Sequence, residues 1–106
     1  MFRTEIINDY YVVRVDVKEA SIDINNVESL KKILKEGIEK GYKKLIVDFQ
    51  NVVYIDSSGL GCLMDIMKLA KEKGGEVGIL SISKDVLEVF IATKIGQFFK
   101  FYKTIN

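Results

Sequence analysis

The chain has 106 residues, 48% hydrophobic and 29% charged, which suits one compact soluble domain and excludes a disordered tail. Sixteen Lys plus Arg stand against 15 Asp plus Glu with no basic cluster, so the electrostatic footprint of a nucleic-acid binder is missing. Histidine is absent and Cys62 is the sole cysteine, which removes the commonest general base, any intrachain disulfide and any Cys/His metal site.

In chain order, Ile6-Ile7 and Tyr10 to Val17 read as two β segments broken at the turn pair Asn8-Asp9, an N-terminal hairpin. From Asn26 onward Val27, Leu30, Leu34 and Ile38 recur at helical spacing, with lysines and glutamates opposite, until Gly41 ends the helix. Lys44 to Phe49 is short, apolar and β-branched, as in a central strand buried on both faces, and Val52-Val53-Tyr54 adds a short extended piece. After Ser57-Ser58 a helix is expected to about Lys73. Its stripe is Leu60, Leu63, Met64 and Met67, widened by Cys62, Ile66 and Leu69, and Gly74-Gly75 stop it.

Val77 to Ile82 predicts another buried strand. Ser83 and Asp85 then open a third helix carrying Val86, Leu87, Phe90 and Ile91. Phe99 to Ile105 alternates as a half-exposed strand, and Phe98, Phe99, Phe101 and Tyr102 are expected mainly to pack into the core. The predicted order is β-β-α-β-α-β-α-β. Strands separated by helical crossovers pair in parallel, so the fold class is α/β, a single domain over residues 1–106 with a mixed sheet and parallel central strands. No apolar run approaches the roughly 18–20 residues of a membrane span and Met1 to Glu5 does not open a secretory leader, so a cytoplasmic protein is expected.

The junction Val52 to Gly61 carries the chemistry, because Ser57 and Ser58 place two hydroxyls where a strand meets a helix. Such a serine caps the helix backbone, attacks a substrate or accepts a phosphate. The nucleophile reading is weak: Asp56 stands where a nucleophile elbow needs glycine, and there is no histidine to activate the hydroxyl. Met64 occupies the third glycine position of a dinucleotide fingerprint, and no Walker lysine follows a glycine-rich loop. Gly59 and Gly61 are expected to allow close helix packing, Asp56 to sit in the loop or cap, and Asp23 to sit in a solvated turn.

Ile55-Asp56-Ser57-Ser58-Gly59-Leu60-Gly61 resembles the phosphorylation loop of the anti-sigma factor antagonists, small bacterial members of the STAS domain class. Ile22-Asp23 followed by Leu30, and Leu45 to Phe49, resemble that family's Leu-Asp segment and its central strand. Ala20 and Ser21 depart from its usual glycine and acidic residue, and Thr93 to Gly96 from its short Ser-Gly-Leu stretch.

The resemblance implies a partner-switching regulator of sigma-factor-dependent transcription, with no catalytic activity and no cofactor or metal of its own. Unphosphorylated, it would bind an anti-sigma factor that is also a serine kinase. Phosphorylation of Ser58, with Ser57 as minor alternative, would end the complex, and a phosphoserine phosphatase would reset it. Asp23, Asp56, Ser57, Gly59 and Leu60 would lie in the partner-binding surface, and a monomer is the simplest state. The alternative is a non-switching STAS subunit of a lipid- or anion-transport complex, in which Ser58 only caps.

Overall fold

A computed structural model describes residues 1–105. The first hairpin pairs β1 (Phe2–Ile7) with β2 (Tyr10–Val15) antiparallel, and Asn8 takes the left-handed backbone, φ 55°, that lets Ile7 face Tyr10 across a tight turn. Helix α1 (Val27–Glu39) follows, and Gly41 at φ 92° reverses the chain into β4 (Lys44–Asp48). Helix α2 (Ser57–Glu72) leads through Gly74, φ 80°, to β6 (Glu76–Leu80), and α3 (Lys84–Ala92) leads through a 3-10 turn at Gly96–Phe98 to β7 (Lys100–Tyr102).

These strands form a five-stranded mixed sheet in the order β1-β2-β4-β6-β7, antiparallel at β1–β2 and parallel elsewhere. The expected mixed sheet with a parallel centre is therefore present. The predicted element order is two strands short. Ala20–Ile22 is a strand, β3, and it pairs in parallel with β5 (Val52–Ile55) as a separate two-stranded sheet. Three residues are too few to show a period of two, and β3 exists because β5 supplies its hydrogen bonds.

Alternation along the central strands divides the core. Tyr11, Val13, Leu45, Val47 and Ile79 face α1 and α2, where Leu30, Leu34, Leu63 and Ile66 are fully buried. Val12, Ile46 and Leu80 face the other way, where no helix lies. Ile105, Tyr10 and Tyr102 cover them instead, so β4 is buried on both faces by different means. Phe90 of α3 is enclosed edge-to-face by Phe49, Phe99 and Phe101, with ring centroids 5.8–6.0 Å apart. The aromatic run divides rather than packing as a whole: Phe99 is buried, but Phe98 and Phe101 stay 43% and 39% exposed. Ile91 departs from its predicted stripe and is exposed, because α3 buries only Val86 and Phe90.

One polar network ties the two sheets together. Asp48, a buried carboxylate at the end of β4, accepts from Arg14 Nη1 at 2.9 Å and from the Gln50 N–H at 2.9 Å. Asn51 then donates its side-chain amide to the Val15 carbonyl at 2.8 Å, while its own carbonyl accepts the Ala20 N–H at 2.7 Å. The chain leaving the large sheet is thereby steered into the small one.

Cys62 is buried between α1 and α2 with Sγ 3.8 Å from the Val27 carbonyl, and burial pushes its thiol from 9.0 up to about 11. Burial likewise raises Tyr11, with Glu36 and Tyr42 adding to the effect. The unfolded chain releases these protons first, so their contribution to stability is fully present below about pH 9 and declines as pH rises toward about 11. Urea denaturation across that range will show the decline, and Cys62→Ala will make it shallower. Native protein at roughly pH 8 will react with a thiol reagent only as fast as it opens.

Candidate functional site

The site is assembled where the small sheet ends. Strands β3 and β5 run in parallel with Ile22 opposite Ile55, so the next residues, Asp23 and Asp56, emerge side by side. The Asp56 N–H continues the pairing by donating to the Ile22 carbonyl at 3.1 Å.

Asp56 keeps an extended backbone (φ −99°, ψ −177°) and caps α2. Its Oδ1 accepts the Gly59 N–H at 2.9 Å and its carbonyl accepts the Leu60 N–H at 3.0 Å. The expectation that Ser57 or Ser58 caps the helix is therefore corrected. A capping side chain must belong to the last non-helical residue, and Ser57 and Ser58 already occupy the first two helical positions. Ser57 is exposed and Ser58 half-buried, and among the described residues neither hydroxyl has a hydrogen-bond partner. Their backbone N–H groups also lack acceptors among the described residues, and they point along the positive end of a 16-residue helix.

Asp23 sits part-exposed in a turn held by its own hydrogen bonds. Its Oδ1 accepts the Asn25 N–H at 2.9 Å, its carbonyl accepts the Val27 N–H at 2.9 Å, and its N–H donates to Asn26 Oδ1 at 3.1 Å. Asn26 also donates to the Ser21 carbonyl at 2.8 Å, which binds the end of β3 to the start of α1. Asp23 and Asp56 each commit one carboxylate oxygen to a backbone N–H, and the second oxygen of each has no partner among the described residues.

Two of the predicted partner contacts lie inside the protein. Leu60 is 9% exposed and belongs to the core, since it falls on the face of α2 that meets the sheet. Gly59 is buried too: a Cβ there would come within 2.7 Å of Ile55 Cγ1 and 2.9 Å of the Ile22 carbonyl oxygen, so its lack of a side chain lets α2 start directly on the small sheet. At Gly61 a Cβ would meet nothing within 4 Å, so this glycine does not serve close packing. It leaves bare surface one turn beyond Ser57.

Sequence reasoning missed two apolar side chains of this region, Ile24 and Tyr54, which are 68% and 56% exposed. Each adjoins a site strand end: Ile24 follows Asp23, and Tyr54 lies two residues before Asp56. An aliphatic residue inside a polar turn, with no helical or strand period to bury it, is the feature that could have flagged Ile24.

The STAS domain family profile matches residues 1–106, and the chain belongs to that family. Among its relatives is a Thermotoga maritima protein, provisionally assigned as an anti-sigma factor antagonist, 29% identical over 107 residues that span 100% of this chain and 92% of the relative. Another is the anti-sigma-B factor antagonist of Staphylococcus aureus, 29% identical over 84 residues, or 79% of this chain and 75% of the relative. The crystal structure of the Thermotoga protein TM1081 superposes with a TM-score of 0.85 at 28% identity, covering 98% of this chain and 87% of that one. SpoIIAA in its unphosphorylated form shares the fold, with a TM-score of 0.78 at 23% identity over 95% of this chain and 87% of its own.

The division of labour at the helix start is measurable. Asp56→Ala will destabilise the protein by about 1 kcal/mol through loss of the cap, whereas Ser57→Ala will change stability by only a few tenths. Gly59→Ala will cost about 1–3 kcal/mol, because the Ile22 backbone cannot give way to the new methyl group. Urea denaturation of the three variants tests all of these values.

Proposed function

We propose that this chain is an anti-sigma factor antagonist whose partner binding is switched off by phosphorylation of Ser58. The observation that carries the reading is the uncommitted Ser58 hydroxyl: Asp56 caps the helix, so the serine is not needed as a cap and is available to a kinase. The relatives named anti-sigma factor antagonists support the partner class, and the absence of histidine from the chain fits a substrate and binding module rather than a catalyst. ATP, magnesium and phosphoryl transfer belong to the partner, an anti-sigma factor with serine kinase activity acting in the cytoplasm. A phosphoserine phosphatase closes the cycle.

A phosphate on Ser58 adds about −1.5 to −2 charges at the start of α2. In the free protein, unpaired N–H groups of Ser57 and Ser58 and the helix dipole favour that charge, so the domain stays folded. In a complex the same phosphate would be enclosed beside the free carboxylate oxygens of Asp56 and Asp23. Enclosing an unpaired charge costs several kcal/mol, and each 1.4 kcal/mol is about tenfold in affinity, so a loss of about 100-fold or more needs no refolding. Unmodified, the surface around Ser58 would offer the partner two carboxylates together with the exposed Ile24 and Tyr54 side chains.

Incubation with anti-sigma kinases and Mg-ATP, followed by mass spectrometry of the peptide containing Ser57 and Ser58, tests the assignment. One phosphate on Ser58 is expected. Ser58→Ala will abolish labelling and keep partner binding, Ser58→Asp will weaken binding about 100-fold, and Ile24→Ser will weaken it about tenfold without changing stability. Undiminished labelling of the alanine variant overturns the site. Absence of labelling by any such kinase, together with co-purification in a membrane transport complex, would replace the switch with the fixed-subunit reading.

A further inference from the structure

A second surface, formed by α3 and β7, has features that the Ser58 site does not explain. Leu87, Phe90 and Ile91 of α3 and Phe101 of β7 wall a groove of ≈ 340 Å³, and Lys94 and Gln97 form its polar rim. Ile91 is 63% exposed on a helix that buries Val86 and Phe90, and Phe101 is 39% exposed. Gly96 completes the lining, and the fold does not demand a glycine there. Its φ is not in the left-handed region, and an added Cβ would make only ordinary contacts with Phe90 at 3.6 Å and beyond. A side chain there would start without a clash at its Cβ and would extend from the groove lining.

The charge of the groove has one sign. Lys94 is its only charged lining residue, and among the described residues no carboxylate pairs with it. From Val89 to Asn106 the sequence has lysines at 94, 100 and 103 and no Asp or Glu; Lys100 pairs with Glu76 at 3.5 Å, and Lys94 is the lysine that lines the groove. Asp85 and Glu88 belong to α3 but do not line the groove. Lys94 also sits at φ 63°, just past the helix end, where glycine or asparagine is the ordinary choice. A cation stands where the backbone prefers a different residue, beside exposed apolar surface.

We infer that this groove docks a segment of another protein that presents one or two large apolar side chains flanked by carboxylates. The apolar side chains would fill the space between Ile91 and Phe101, and a carboxylate would meet the Lys94 ammonium. Apolar burial would supply most of the affinity. The single-signed charge would select acidic segments over basic ones.

The test uses two blocked synthetic peptides, one alternating Glu with Leu and Phe, the other identical except for Lys at each Glu, titrated into the isotopically labelled full chain and followed by NMR. The acidic peptide is expected to shift amide signals of Leu87, Ile91, Lys94 and Phe101, with a dissociation constant of about 1 mM or below, and the basic peptide to bind about tenfold more weakly. Lys94→Glu will reverse that preference. Gly96→Leu will abolish binding of both, and Ile91→Ser, a change at an exposed position, will weaken both if the glycine variant fails to fold. Equal affinity for the two peptides, shifts centred outside the groove, indifference to the Ile91 change, or no shift at about 2 mM peptide overturns the inference.

Discussion

The pairing of Ile22 with Ile55 in the two-stranded parallel sheet is the constraint on which the site depends. Parallel register makes both strands end on the same side, so the residues that follow, Asp23 and Asp56, leave the sheet as neighbours although 33 positions separate them in the chain. The Asp56 N–H to Ile22 carbonyl bond extends this register by one residue, and buried Gly59 lets the first turn of α2 sit against the same carbonyl. The serines are thus held at a junction fixed from both strands and the helix, where the proposed phosphorylation would act by charge and bulk rather than by moving the backbone.

The small sheet is placed in turn by the polar network at the end of the large one. Asp48 is a buried charge, tolerable because Arg14 and the Gln50 N–H occupy its oxygens. Asn51 fastens the chain to both Val15 and Ala20 just before β5 begins. Asp48 and Val15 end their strands, Gln50 and Asn51 lie in the connection between β4 and β5, and Ala20 begins β3. The arrangement joins a well-packed core, which fixes position, to the surface proposed to carry the switch.

Capping by Asp56 changes what the paired serines are for. A serine that caps a helix has its oxygen committed to a backbone N–H. Here a carboxylate makes the cap, and the next two residues are relieved of structural duty. The same logic separates Gly59, whose missing side chain is needed for packing, from Gly61, whose missing side chain leaves surface open.

Much of the architecture was legible in the sequence. The three helices and the large sheet follow from apolar period, Ser83 caps α3 as its place before Asp85 predicts, and Gly41 and Gly74 end their helices because each adopts a positive φ. Motif and order also pointed to the STAS family. What the sequence could not reveal depends on residues distant in the chain. Strand β3 forms only because β5 provides hydrogen-bond partners, and Leu60 is buried because α2 turns that face to the core. Which of three adjacent polar residues caps α2 is decided by where β5 releases the helix, and that point is set by the register of Ile55 on Ile22. Local pattern determined which segments are helix or strand and which loop carries the hydroxyls. Tertiary pairing alone decided which side chains of that loop are used by the fold and which are left free for a partner, because burial and hydrogen-bond satisfaction are properties of the assembled surfaces.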